Sequence, residues 1–313
     1  MSNEKSKLQF KSIANVTKET LYAIDQRRKG LIKPLKTPWK KWNYNCGGIE
    51  WNNIICIGGM SGSGKTAIAN QLETGLKDLN GYERFSILSF NFEMLATRLI
   101  GRKLSNFTKM TMSELFNTTG KNLINDNLYK SLERHCESLN KYDIYYVDMP
   151  GSVSEIEETI HSFIKYVCAP KNHKCVVMLD HVLLINGDKE SDVERKVLFD
   201  LMSMENRLKK MYTITFINLC QLNRNIERIE RLTDPVMHYP QKADVFGAES
   251  MYQFSDIFLI THRPEMLNLP YYGPNKLPVK NKIYWHFIKV RDGEPFVASM
   301  SNNLKYNEVL DGE

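Results

Sequence analysis

One stretch limits what this chain can fold into more than any other: Gly59-Met60-Ser61-Gly62-Ser63-Gly64-Lys65-Thr66. An apolar run, Ile54-Ile55-Cys56-Ile57, precedes it, and a helix-like segment from Ala67 to Leu79 follows. Glycine, four residues and then Gly-Lys-Thr, set between a strand and a helix, is the pattern of a phosphate-binding loop. Its glycines let backbone N–H groups close around an anion, and the helix that starts there aims its positive end at the same point. The pattern assigns Gly59, Ser61, Gly62, Ser63, Gly64, Lys65, Thr66 and Ala67 to nucleotide binding. Lys65 would reach the outer phosphates, and the Thr66 hydroxyl would hold magnesium.

Around this loop, strand-like and helix-like segments alternate, which is the pattern of a mostly parallel sheet covered on both faces, an α/β fold. Strands are expected at Ile54–Gly58, Phe85–Phe92, Asp143–Val147, Cys175–Asp180, Thr213–Leu219, Asp256–Thr261 and Ile283–Val290. Helices are expected near 66–80, 94–104, 122–138, 153–168, 191–211 and 247–254, with a capping box at Ser154-Glu-Ile-Glu157. Asn223–Ala243 and Pro264–Asn281 are turn-rich and read as mobile, and the residues after Asn302 read as a polar tail. Residues 1–34 form an arm, loosely ordered over 1–15 and helical from Thr17 to Lys29; residues 35–313 form the main domain.

At 313 residues, with 42% hydrophobic and 25% charged side chains, the composition is that of a soluble globular protein. The net charge of +6 is compatible with a polyanionic partner without requiring one. Six scattered cysteines show no zinc spacing and read as buried free thiols of a reducing compartment. No stretch approaches the ~20 apolar residues of a membrane span, and Met1–Lys11 lacks the apolar core of a signal peptide. An intracellular protein is the expectation.

A nucleotide hydrolase also needs a magnesium ligand, a group that orients water, and positive charge for the transition state. Cys175-Val-Val-Met-Leu-Asp180 delivers a carboxylate at the end of an apolar strand, the place of a magnesium ligand. Glu93, after Phe90-Asn91-Phe92, either polarises the attacking water or supports a helix start. Gln221 either senses the terminal phosphate or caps a strand end. The Arg224–Arg231 segment mixes Arg with Glu and reads as a basic loop or a solvated helix. Lys289 and Arg291, at alternate positions of a late strand, seek an anion or protect an edge. His181, directly after Asp180, is assigned no catalytic role.

With these residues in order, the chain resembles the RecA-like motor domain of the DnaB-type replicative helicases of bacteria and their phages, over about residues 35–300. Gly47-Gly48-Ile49-Glu50-Trp51 is similar to the family's lead-in to the first strand, and Ser89-Phe-Asn-Phe-Glu-Met94 to its Phe-Ser-Leu-Glu-Met signature. Gln221-Leu-Asn-Arg224 matches its sensor stretch; Asp244, Gly247 or Ala248, Gln253 and Asp256 follow the spacing of the next segment. Lys289-Val-Arg291-Asp-Gly293 is similar to its Lys-Gln-Arg-Asn-Gly stretch. The chain departs from the family at His181, where a tyrosine is usual, and at Asp244-Val245-Phe246, where Asp-Leu-Arg is usual. It is also expected to lack the family's amino-terminal helical domain.

The resemblance implies a RecA-like P-loop ATPase using ATP and Mg²⁺, with Glu93 activating water. Lys289 and Arg291 would reach into the neighbouring subunit's site, Arg291 as the arginine finger. It implies a ring, as a hexamer, around single-stranded DNA, with the arm helix packed on the next subunit. Loops after Asp180 and Gln221 would hold DNA through Lys189, Arg224, Arg228, Arg231 and Lys242. Primase or a helicase loader would be further partners, in the cytoplasm of a bacterial cell or phage-infected host. Two alternatives stay open: a RecA-fold ATPase of recombination or repair, and a nucleotide-binding regulator of a helicase ring.

Overall fold

The computed structural model describes residues 10–119, 124–189 and 191–312; the expectations for residues 1–9 and for the helix start at 122–123 lie outside them. The chain divides into two compact units, Met1–Pro34 and Leu35–Glu313.

In the first unit, helix α1 spans Ile13–Arg28, four residues longer at its start than expected, because the Ser12 side chain accepts the Asn15 N–H and caps it. Residues 13–15 are therefore helical, not loose. No residue of α1 is buried, and Ile13, Leu21, Tyr22 and Ile24 are all exposed.

The second unit begins with α2 (Lys40–Cys46), β1 (Ile54–Gly59), α3 (Lys65–Leu79), β2 (Phe85–Asn91) and α4 (Ala96–Thr108). The short α5 (Met112–Leu115), α6 (Asp126–Leu139) and β3 (Ile144–Val147) follow, then α7 (Val153–Phe163), which runs through a π turn into α8 (Ala169–Lys171). Next come β4 (Lys174–Asp180), α9 (Glu194–Met211), β5 (Ile214–Gln221), α10 (Ile229–Thr233), α11 (Ala248–Phe254) and β6 (Ile257–His262). The chain closes with β7 (Lys282–Val290), β8 (Phe296–Asn303) and β9 (Glu308–Asp311).

Among the described residues one sheet runs β3-β2-β4-β5-β1-β6-β7-β8-β9. Pairs from β3 to β6 are parallel, and those from β6 to β9 are antiparallel. Alternation within each strand feeds two cores. Ile54, Cys56, Val177 and Leu179 face the layer of α7, α9 and α11; Ile55, Ile57, Val176 and Met178 face α3 and the tryptophans Trp39, Trp42 and Trp285.

Two local expectations are corrected. The capping box sits two residues earlier than expected: Ser152 accepts from Glu155 N at 3.3 Å, and Glu155 Oε2 accepts from Ser152 N at 2.7 Å. The residues after Asn302 are not a tail. They form β9, whose Val309 is fully buried. Its carbonyl accepts the Trp39 indole N–H at 2.8 Å, its N–H donates to Gln71 Oε1 at 2.8 Å, and Asp311 accepts from the first N–H groups of α2. A strand of four residues gives too little alternation to be read in advance.

Two buried carboxylates behind the sheet show how ionisable groups are accommodated. On α3, Glu73 pairs with Lys103 of α4 at 2.9 Å and accepts from Ser89 Oγ at 2.7 Å and Tyr146 OH at 3.0 Å. Lys103 also donates to the Asn70 carbonyl at 2.9 Å. On α9, Glu205 is fully buried and accepts from Asn218 Nδ2 at 2.8 Å. Burial pushes its carboxyl up to about 8, with Asn218 and Lys209 pulling the other way. A proton there supplies a donor where two buried acceptors, Glu205 Oε1 and Asn218 Oδ1, have none.

The folded chain thus holds a proton at Glu205 that the unfolded chain releases above the ordinary glutamate pKa of about 4.3. This contribution to stability falls as pH rises from there toward about 8. Glu205→Gln keeps the shape and stays neutral. Thermal melts should show it several degrees more stable than the parent at pH 8 and nearly equal to it at pH 4.5.

Candidate functional site

Strand register assembles the site. Gly59 at the end of β1 lies opposite Gln221 of β5 on one side and opposite Thr261 of β6 on the other. Asn91 of β2 lies opposite Asp180 of β4, and the Phe92 N–H donates to the Asp180 carbonyl at 2.6 Å. In a parallel sheet these strand ends share one edge, so the phosphate loop, Glu93, Asp180 and Gln221 meet there.

The loop closes as its sequence requires. Gly62 and Gly64 take φ of +76° and +100°, which side chains rarely adopt. At Gly59 a Cβ would lie 2.3 Å from Ser63 Oγ and 2.8 Å from the Thr261 carbonyl oxygen. The Lys65 ammonium donates to the carbonyls of Gly59 and Met60 at 2.8 and 3.0 Å. Burial lowers its pKa, and the charges of Cys220, Asp180 and Glu93 oppose that shift.

Asp180 is buried. Desolvation first, and then the charge of Glu93, push its carboxyl up to about 6, while Lys65, Thr66 and Arg102 pull it down. Its Oδ1 is buried without a hydrogen-bond partner. An orphaned carboxylate oxygen beside a threonine hydroxyl fits magnesium, which takes one or two carboxylates and completes its shell with phosphate and water. No cluster of three or more His, Cys, Asp or Glu side chains forms a metal site among the described residues, and a phosphate-bound magnesium needs none.

Glu93 is exposed in the turn after β2, and α4 begins only at Ala96 with no acidic residue in its first turn. Its role as a helix-start charge is therefore excluded, and it faces the site. One residue there was not singled out from sequence, and another was given no role. Arg102 of α4 is half-buried; burial lowers its pKa, and the charges of Asp180 and Glu93 pull it back up. A cation nine residues after Glu93 on an amphipathic helix gave no signal of its own. His181, assigned no role, is buried and meets Gln221.

The remaining candidates lie elsewhere. Asp256, preceding β6, accepts from Ile54 N at the start of β1 and pairs with Arg291 Nε at 3.0 Å. Arg291 therefore sits at the opposite edge from the phosphate loop. Five strand positions separate Ile257 from His262, roughly 16 Å at about 3.3 Å each. Lys289, expected to reach a neighbouring site, has partners within this chain. Its ammonium donates to the Tyr252 and Gln253 carbonyls at the end of α11, so it caps that helix.

Arg231, expected on DNA, is also corrected. It is buried, with Nη1 on Asp244 at 2.5 Å and its other nitrogens on the carbonyls of Met237 and Tyr239. It fastens the segment expected to be mobile, and His238 joins that segment to the next by accepting the Gly273 N–H at 3.1 Å. Lys189, Arg224, Arg228 and Lys242 are exposed. Lys242 lies over the Tyr252 ring and 3.9 Å from Glu249. Arg224 shares a cavity of about 450 Å³ with Gly62 and Gln221.

A phosphate loop at the edge of this sheet, ringed by strand-end carboxylates and an amide, defines a RecA-like nucleotide-binding domain. The chain belongs to the DnaB-like helicase C terminal domain family, whose model matches residues 34–308. It is 25% identical over 222 residues to a probable replicative DNA helicase of Guillardia theta, an alignment that takes in 71% of this chain. The chain spans only 35% of that relative's length. The fold is similar to that of a solved ATPase domain, with a TM-score of 0.80 at 18% identity over 97% of this chain and all of that one. It is also similar to a DnaB-like replicative helicase whose interactions with primase have been described, with a TM-score of 0.77 at 18% identity over 94% of this chain and 67% of that one. Among the described residues no helix is long and apolar enough to cross a membrane.

Gly59 and Gly58 separate cradle from strand. A Cβ on Gly58 makes only ordinary contacts, the nearest 3.4 Å from Cys220 Sγ. Gly59→Ala should abolish binding of a fluorescent nucleotide in titration, because the Thr261 carbonyl cannot yield, whereas Gly58→Ala should bind within about twofold of the parent, as expected of a change that forces no cavity or overlap.

Proposed function

We propose that this chain is the ATP-hydrolysing motor of a ring helicase that moves along single-stranded DNA. The observation that carries the reading is the division of the machinery over two edges of one sheet. Lys65, Thr66, Glu93, Asp180 and Gln221 stand at one edge, and an exposed arginine, Arg291, stands at the other. A nucleotide bound at the first edge is out of reach of Arg291 in the same chain. A neighbouring copy can supply it.

Lys65 and the loop amides hold the phosphates of ATP, with Thr66 and Asp180 as the magnesium ligands. The ion neutralises developing charge on the transferred group when bound. Glu93 orients water, Gln221 donates to the terminal phosphate, and Arg102 restrains the two carboxylates from within the chain. The carboxylates lie toward β2, β4 and β5, so the nucleoside extends the other way. There Leu304 abuts Gly64, and Arg263, Lys280, Asn302 and Lys305 line a cavity of about 860 Å³.

DNA is assigned to Lys189, Arg224, Arg228 and Lys242, and the arm helix with its exposed apolar residues to the next subunit of a hexameric ring. A primase or loader, as in the related replicative helicase described with primase, is a further partner.

Arg291→Ala should abolish turnover and leave nucleotide affinity largely intact, since an arginine finger contributes roughly 10³–10⁵ in rate. Mixing Arg291→Ala chains with Lys65→Ala chains should restore part of the activity, because some interfaces then join an intact loop to an intact finger. An Arg291→Ala protein that hydrolyses ATP normally, or a mixture that stays dead, would sink the ring reading. Arg224→Glu with Arg228→Glu should weaken single-stranded DNA binding and flatten its salt dependence by a log–log slope of about 1.4, two phosphate contacts at about 0.7 each. An unchanged slope removes these residues from the DNA path.

A further inference from the structure

We propose that His181 is a positioning residue for Gln221, holding its side-chain amide with the oxygen turned back and the NH₂ group presented to the terminal phosphate. This rests on reading Gln221 as the phosphate sensor. Two hydrogen bonds carry the inference. The Leu183 N–H donates to His181 Nδ1 at 3.2 Å. A backbone N–H can only donate, so Nδ1 bears a lone pair and the neutral ring carries its proton on Nε2. That nitrogen lies 3.3 Å from Gln221 Oε1. His181 therefore donates and the Gln221 oxygen accepts, which assigns the amide: its nitrogen faces away from His181.

The assignment matters because the two ends of an amide act oppositely on a phosphate. An NH₂ group donates to it, and a carbonyl oxygen repels it. The rest of Gln221 is already fixed. Its carbonyl accepts the Phe246 N–H at 3.1 Å, and the next residue's N–H donates to the Gly59 carbonyl at 3.3 Å. Side-chain rotation is the freedom that remains, and His181 removes its last part. Other roles for the histidine fail on the same geometry. Both ring nitrogens are engaged, so neither is open to ligate a metal, and Nε2 already holds a proton and cannot accept one from water. The residue is only 5% exposed, which keeps its ring from following solvent. The same bond joins the turn after β4 to the end of β5, the roots of the segments that carry Lys189 and Arg224.

Two substitutions separate positioning from packing. His181→Asn keeps an acceptor for the Leu183 N–H and loses the donor at the Nε2 position. His181→Gln places an N–H donor near that position. ATP hydrolysis by the full chain with magnesium and single-stranded DNA, ADP affinity and melting temperature are measured for each. His181→Asn should lower kcat about 10-fold, with KM and ADP affinity within about twofold, and His181→Gln should recover most of the loss. Gln221→Ala should cost about 10²-fold, the scale of one preorganised donor, and adding His181→Asn to it should cost nothing more. Equal loss in both histidine variants with a fall in melting temperature would make His181 a packing group and overturn the proposal. Impairment of Gln221→Ala without impairment of His181→Asn would also overturn it, while leaving the sensor reading intact. Normal hydrolysis by Gln221→Ala would remove both.

Discussion

The parallel register of β1 between β5 and β6 is the constraint on which the site depends. It sets Gly59 level with Gln221 and with Thr261, so a phosphate held by the loop lies beside the amide and on the Thr261-supported floor. A slip of one residue in β5 would turn Gln221 to the other face of the sheet. The switch to antiparallel pairing at β7 is equally consequential. It carries the chain back to the starting edge, where Arg291 meets Asp256. Had β7 been parallel, its end would lie beside the phosphate loop instead.

Behind the site, buried charge does the aligning. Glu73 and Lys103 join α3 to α4 in a nearly dry setting. Such a pair is costly to bury and more costly to break, so it serves as a register pin better than as a source of stability. Lys103 neighbours Arg102, and adjacent residues on a helix point about 100° apart, 360° over 3.6 residues per turn. Pinning one inward aims the other toward Asp180 and Glu93. Ser89 and Tyr146 add two further donors to Glu73, tying β2 and β3 to the same point. The strand that leads to Glu93 and the helix that carries Arg102 are thereby held by one carboxylate.

The parts of the fold legible in the sequence were those whose meaning is local. The loop glycines, the apolar strands ending in Asp180 and Gln221, and the helices behind them follow from spacing alone. The Ser152–Glu155 cap was as local as the one expected at Ser154, and only packing chose between them, through Val153 and Ile156 in the core. Arg231 looked like its neighbours Arg224 and Arg228, and nothing in the string distinguishes a guanidinium that will meet Asp244 13 residues on. The contacts of Lys289 and His181 are hidden in the string for the same reason. Their partners, the end of α11 and Gln221, are brought to them by pairings across the sheet. Structure that arises within one element is visible in the string, and contacts created by two elements meeting are not.

The closing strand has a consequence for the order of assembly. Trp39, Lys40 and Gln71 each bond to Val309 or Asp311, across 238 to 271 residues of chain. Contacts of such long separation form late, because the intervening chain must first be ordered. During synthesis the phosphate-loop helix is made early, yet Gln71 finds its partner only once Val309 has emerged, and Leu304 closes against Gly64 at about the same stage. A fragment that stops short of β9 would carry the phosphate loop without the strand that braces the helix behind it.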